Sequence, residues 1–127
     1  MSLRSELGRV RGLGSAKEGV RHWRTQRLTA IALIPLALCF VYSLMAVVGA
    51  PHAEVVAWIT KPHVTVLLLA LVIALFWHLK LGMQVVLEDY IHTPGLQVAT
   101  QVALRAFAGF GALLAIVSIL KISVGMN

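Results

Sequence analysis

Leu28–Gly49 runs for 22 residues without a charged side chain, and two further apolar stretches of similar length follow it in a chain of only 127 residues. Val64–Leu87 is broken only by Lys80, and Val98–Ile122 carries only Arg105 near its start and Lys121 near its end. A helix crosses a bilayer with about 20 consecutive apolar residues, so each stretch is long enough to span. Because no water reaches the backbone inside a bilayer, a run of this kind folds as a helix. The expected architecture is all-α: a polytopic membrane protein with three transmembrane helices at about 28–49, 63–87 and 98–122. A basic N-terminal segment, 1–27, precedes a three-helix anchor domain, 28–127. The Ala50-Pro51 pair and the Pro94-Gly95 pair mark the breaks, with a short segment His52–Pro62 between the first two spans.

Charge sets the orientation. Only 13% of the residues are charged, about half the usual share of a soluble domain, which argues against a disordered tail or a soluble enzyme. The isoelectric point near 10.3 points to no nucleic-acid partner, because the charge is gathered at one end. Seven of the eleven Lys and Arg residues lie in 1–27, against Glu6 and Glu18. With Lys80 and Arg105 toward that same side, the positive-inside rule places the N-terminus and the Glu88–Gly95 loop in the cytoplasm and the C-terminus on the opposite side. The expected location is the bacterial cytoplasmic (inner) membrane, multi-pass. The first apolar run is too long for a cleaved signal peptide; the Arg-rich start can be read as a presequence, or as a basic segment lying on the membrane surface. The lone Cys39 excludes a disulfide framework and a thiolate metal site.

Several features call for nothing beyond structure. Trp23 and Trp58 flank the first span and suit an interfacial aromatic belt. Pro35 should kink that span, a distortion neighbouring helices tolerate. Small residues at four-residue spacing in the third span, including Ala108-x-x-x-Ala112 and Gly111-x-x-x-Ala115, let helices approach closely. Lys80 is expected to snorkel toward the cytoplasmic headgroups.

The residues that could carry chemistry are few. Of five histidines only His78 lies within an apolar run, roughly 15 Å along the helix from Glu88. An ionisable group at that depth is costly and marks function by default. Imidazole suits iron, and an apolar slot suits a porphyrin; the plain alternative is a neutral imidazole bonded to a neighbouring helix. Gly82 is one turn on, about 40° around, where a missing side chain would let a flat macrocycle lie against the backbone. No second histidine stands at matching depth, so a bis-histidine haem would take its other ligand from another subunit. Asp89 is about 20° from His78 on the wheel and Tyr90 about 120°. A phenol beside a carboxylate at a membrane interface can donate to a quinone carbonyl and relay protons, although acids and an aromatic also end many spans in the headgroup region. Arg21, Arg24 and Arg27 gather on that side, suited to anionic lipid or to haem propionates.

The string His78-Leu79-Lys80-Leu81-Gly82-Met83-Gln84-Val85-Val86-Leu87-Glu88-Asp89-Tyr90, with Gly19-Val20-Arg21-His22-Trp23 and Gln26-Arg27-Leu28-Thr29-Ala30 before the first span, resembles the small hydrophobic membrane-anchor subunit of succinate dehydrogenase, most of all its alphaproteobacterial form. The resemblance runs from about Ser15 to the C-terminus. It implies that His78 is one axial ligand of haem b, shared with a larger cytochrome b-type anchor subunit. It implies that Tyr90 hydrogen-bonds the ubiquinone head group with Asp89 beside it, and that Arg27 lies near the haem propionates. Gly82 would pack against the haem. Flavin and iron–sulfur clusters would sit only in the flavoprotein and iron–sulfur subunits. The chain departs where many members have His after Gly19-Val20: here Arg21 stands, with His22 next. A fumarate reductase-type anchor would share these features. A haem-free transporter or interaction subunit is the reading outside this family, although no Asp or Glu lies within a span to couple cation export.

Overall fold

The computed structural model of the chain describes position 10 and residues 17–125. Arg4, Glu6, Arg9, Arg11 and Ser15 therefore lie outside the described residues. Over residues 17–125 the described elements are four helices, α1 (Lys17–Leu44), α2 (His52–Ile59), α3 (Pro62–Tyr90) and α4 (Pro94–Ser123), with a 3-10 turn, Met45–Val47, after α1. No strand occurs among the described residues. Three helical stretches, Gly19–Val47, Pro62–Tyr90 and Pro94–Ser123, are long and apolar enough to cross a membrane. This is the expected three-span, all-helical membrane protein.

The boundaries follow from backbone chemistry. Pro62 and Pro94 each stand at the start of a helix, where the fixed φ suits the first turn and the missing N–H would have had no partner. After the 3-10 turn, Gly49 takes φ 76°, a conformation a side chain would oppose, and the chain reverses into α2. The first helix extends beyond the expected span at its N-terminal side. It begins at Lys17, so the described part of the basic segment continues without a break into the first span. It runs through Pro35 as one helix. The segment His52–Pro62, expected only as a connection, folds into α2.

α3 is the central helix, packed against α1 on one side and α4 on the other. Both neighbours run antiparallel to it. Thr29 and Gln26 of α1 meet His78 and Gly82 of α3, and Gln101 and Ser123 of α4 meet Glu88 and Thr65. Lys17, Tyr90 and Pro94 consequently share one end of the bundle. At the other end Trp58 of α2 is buried and its indole N–H donates to Ser43 Oγ at 3.0 Å. This corrects its assignment to an interfacial belt: it packs inside the protein and ties α2 to α1. Trp23, in contrast, is exposed. The buried Thr65 hydroxyl donates to Ile59 O at 2.7 Å and lies 3.2 Å from Ser123 Oγ, joining α2, α3 and α4.

Only Trp58, Val64, Thr65, Leu81 and Ala108 are buried among the described residues, while Ile31, Leu38, Val102 and Phe110 are open. In water such a surface would aggregate; in a bilayer, lipid tails or partner helices cover it and close packing supplies the specificity. The small-residue stripe of α4 contributes at two points. Ala108 is buried, and a Cβ added at Gly111 would stand 2.7 Å from the Phe76 ring of α3. Gly111→Val should therefore cost about 1–3 kcal/mol through overpacking, read as a lower melting temperature of the detergent-solubilised complex. Phe76→Leu in the same chain should recover part of that loss. Equal stability of Gly111→Val and the wild type would show that α4 does not press on Phe76.

Candidate functional site

His78 lies in the middle of α3 on the side facing α1 and is half-buried. Its Nδ1 is 3.0 Å from Thr29 Oγ1. The Thr29 hydroxyl also lies 2.9 Å from Gln26 O and 3.0 Å from Thr25 O, the familiar back-bonding of a threonine to its own helix. A hydroxyl has one proton and two lone pairs. With that proton directed at the α1 carbonyls, the oxygen accepts from Nδ1–H of His78. In a neutral ring with the proton on Nδ1, Nε2 carries the free lone pair. This is how a protein prepares histidine as a metal ligand: the hydrogen bond at one nitrogen settles the tautomer and frees the lone pair of the other. Thr29 was invisible as a partner in the sequence, 49 residues away from His78; only the antiparallel packing of α1 on α3 brings them together.

One turn beyond His78, Gly82 faces α1. A Cβ there would meet Gln26 Nε2 at 3.3 Å, so the absence of a side chain serves close approach of the two helices at this level. Gln26 Oε1 and His22 Nε2 are both buried without a hydrogen-bond partner among the described residues. Buried polar atoms are rarely left unpaired; His22 stands where the sequence departs from the family pattern, whereas Gln26 was given no role by its position.

Arg27 is two residues from Thr29, about 200° around α1. Its guanidinium lies 4.7 Å from the centroid of the exposed Trp23 ring. The structure thus directs Arg27 away from the Thr29–His78 contact, and the two are not assembled into one site within this chain.

α3 continues unbroken to Tyr90, so the wheel geometry expected from the sequence holds over the whole interval. His78 and Tyr90 are roughly 18 Å apart along the axis. Asp89 is exposed and Tyr90 is 82% exposed, which leaves both free for a partner outside this chain. Glu88 is engaged internally: its Oε1 accepts from Gln84 Nε2 at 2.9 Å and from Gln101 Nε2 at 3.3 Å. Those bonds stitch α3 to α4 close to Tyr90 and hold the helix end in place. No group of three or more His, Cys, Asp or Glu residues suited to a metal ion occurs among the described residues. A metal at His78 would have to be held by this one imidazole plus ligands from elsewhere, which a porphyrin and a second subunit can supply.

Comparison with known proteins bears on this arrangement. The profile of the succinate dehydrogenase/fumarate reductase transmembrane subunit family matches residues 1–120. The succinate dehydrogenase hydrophobic membrane anchor subunit of Rickettsia bellii is 36% identical over 106 residues, covering 83% of this chain and 84% of the relative. That of Rickettsia conorii is 35% identical over 89 residues, 69% of this chain and 71% of the relative. The succinate dehydrogenase membrane anchor subunit of Reclinomonas americana is 27% identical over 95 residues, with 72% and 79% covered. No solved structure shows a significant match.

Proposed function

The chain belongs to the succinate dehydrogenase/fumarate reductase transmembrane subunit family, and from that premise we propose that this membrane anchor subunit of succinate dehydrogenase ligates a haem b through His78 and helps to form the site of ubiquinone reduction through Tyr90 and Asp89. The observation that carries the proposal is the Thr29–His78 hydrogen bond within the apolar span. It uses Nδ1 and leaves Nε2 for iron, so the residues present fit half of a bis-histidine site.

Haem, when bound, supplies a one-electron redox centre. The chain's own residues hold and orient. Thr29 fixes the ring plane and tautomer of His78. Gly82 and Gln26 bring α1 and α3 close enough for that contact. Arg27, its guanidinium stacked on Trp23 and turned away from Thr29, would have to leave that ring to serve as a charge-assisted partner for a haem propionate. The phenol of Tyr90 donates a hydrogen bond to a quinone carbonyl, and the Asp89 carboxylate tunes the local charge or passes a proton to the oxygen being reduced. In the net reaction succinate gives up two electrons and two protons to become fumarate, and the quinone takes up two of each. Flavin and iron–sulfur clusters belong to the flavoprotein and iron–sulfur subunits, and the second haem ligand to a larger cytochrome b-type anchor.

The same reading sets the orientation. Arg21, Arg24 and Arg27 lie at the bundle end shared with Tyr90, so the positive-inside rule places that end in the cytoplasm and the C-terminus on the far side of the bacterial inner membrane. Soluble subunits would then dock on the basic end, beside Tyr90.

The test is a reduced-minus-oxidised optical spectrum of the gently extracted, tagged protein, with co-purifying chains weighed by mass spectrometry. A b-type spectrum together with a flavoprotein, an iron–sulfur protein and one larger hydrophobic subunit is expected. A colourless chain that purifies alone would return His78 to a helix-packing role.

A further inference from the structure

On the flank of α3 away from His78, four basic side chains converge. Arg21 and His22 of α1, Lys80 of α3 and Arg105 of α4 line one cavity of about 370 Å³, together with Trp77 and Gln84; among the described residues neither Asp nor Glu lines it. Lys80 is about 200° around α3 from His78, and His78 does not line the cavity. Lys80 and Arg105 are each ten or eleven residues inside their helices, at a matched depth of roughly 15 Å from the Tyr90–Pro94 end. That is deeper than a headgroup charge ordinarily sits. Lys80 Nζ lies 5.0 Å from the Trp77 ring centroid, a second lining residue of the cavity.

Lys80 and Arg105 at this depth, with Arg21 nearer the helix end, repel one another and are costly to desolvate unless an anion joins them. Glu88 borders a neighbouring cavity with Arg105, where its Oε1 accepts from Gln84 and Gln101; it does not line the cationic cavity. His22 Nε2 is buried and unpartnered among the described residues, which leaves a polar nitrogen facing this cavity wall without a bond there.

A second cavity, of about 390 Å³, continues from the first through the shared residues Trp77, Lys80 and Arg105 and is otherwise lined by Ile73, Phe76, Ala108, Gly109 and Ala112. Its added walls are wholly apolar. A cationic chamber that opens into an apolar groove between two spans matches an amphiphile with an anionic head and a hydrocarbon tail. We propose that this flank binds one anionic phospholipid. Its phosphate is held by Arg21, His22, Lys80 and Arg105, and one acyl chain lies in the groove between α3 and α4. Basic pockets between transmembrane helices are a known means of recognising such headgroups, and phosphate accepts charge-assisted hydrogen bonds from guanidinium and ammonium groups alike. The ligand bridges α1 and α4, helices that make no substantial contact with each other among the described residues, and so closes the open side of the three-helix row.

The experiment uses the intact purified complex, stripped of loose lipid by extended detergent washing. Retained lipid is identified by native mass spectrometry and phosphorus analysis, and rebinding is measured with dioleoyl phosphatidylglycerol against dioleoyl phosphatidylcholine. Wild type should keep about one anionic phospholipid per chain through this flank and rebind the glycerol lipid at least tenfold more tightly than the choline lipid. Lys80→Gln with Arg105→Gln should weaken rebinding tenfold or more, whereas Lys80→Arg should stay within about twofold. Should the double variant fail to assemble, Gly109→Leu decides. A Cβ at Gly109 meets nothing within 4 Å, so the longer side chain enters the groove without a backbone clash and should expel the lipid while Arg21, Lys80 and Arg105 stay in place. Unchanged retention in the assembled variants overturns the proposal, as does equal binding of the two lipids. Loss of haem with lipid phosphorus unchanged would instead assign the cationic cavity to haem carboxylates. Inorganic phosphate binding as well as the glycerol lipid would reduce the site to a simple anion pocket.

Discussion

Replacing His78 by leucine should abolish the b-type absorbance attributable to this subunit while leaving the flavoprotein and iron–sulfur subunits attached. Leucine favours helix and fills a comparable volume, and His78 is only half-buried, so α3 should persist. What disappears is the one imidazole placed inside a span and pinned by a hydroxyl on the neighbouring helix. A companion variant separates ligation from packing. Thr29→Val removes the acceptor for Nδ1–H but keeps the shape of the side chain. Loss of an outer-shell partner of a metal-bound histidine typically costs about 10–100-fold in affinity or activity, so haem should still bind, more weakly and with a shifted midpoint potential. An unaltered spectrum and potential in both variants would make the Thr29–His78 bond a structural link between α1 and α3 and nothing more.

Tyr90→Phe should depress electron transfer from succinate to ubiquinone while sparing succinate oxidation by an artificial acceptor that bypasses the membrane domain. The phenol is 82% exposed at the very end of α3, so its removal should leave the fold intact. Removing one neutral hydrogen bond is worth about 1 kcal/mol, a fall of roughly fivefold to tenfold. If the hydroxyl also delivers a proton, the loss should approach the roughly 10²-fold or more typical of general acid catalysis. The ratio of the two assays is therefore diagnostic. A proportional loss in both would mean that Tyr90 supports docking of the soluble subunits.

The fold was largely legible because a bilayer leaves a chain few choices. Runs of about 20 or more apolar residues must form spanning helices, and both Pro-initiated helices begin close to where the sequence indicates, at Pro62 and Pro94. Legibility weakened wherever apolar character ceased to decide. α1 reaches back to Lys17 because a basic segment with good helix formers can extend a span into the headgroup region. α2 is too short to announce itself by periodicity. Trp58 reads as a membrane-interface residue by type and position, yet Ser43 provides an acceptor inside the protein that satisfies its indole, and packing there overrides the general preference.

For the candidate site, the residue types and their register along α3 were present in the sequence: a helix with about 3.6 residues per turn carries His78, Gly82, Asp89 and Tyr90 to known heights and angles. Membership of a membrane-anchor family was equally evident, since it rests on contiguous strings. What only the tertiary structure decided was which side chains meet across helices. Thr29 as the partner of His78, Gln26 against Gly82, the turning of Arg27 onto Trp23, and the convergence of Arg21, His22, Lys80 and Arg105 all depend on the rotation and relative height of α1, α3 and α4. Apolar faces that are lipid-exposed nearly all round leave that rotation undetermined in one dimension. Small residues such as Gly82, Ala108 and Gly111 settle it, because they let two backbones approach at one register and leave larger neighbours to clash at any other.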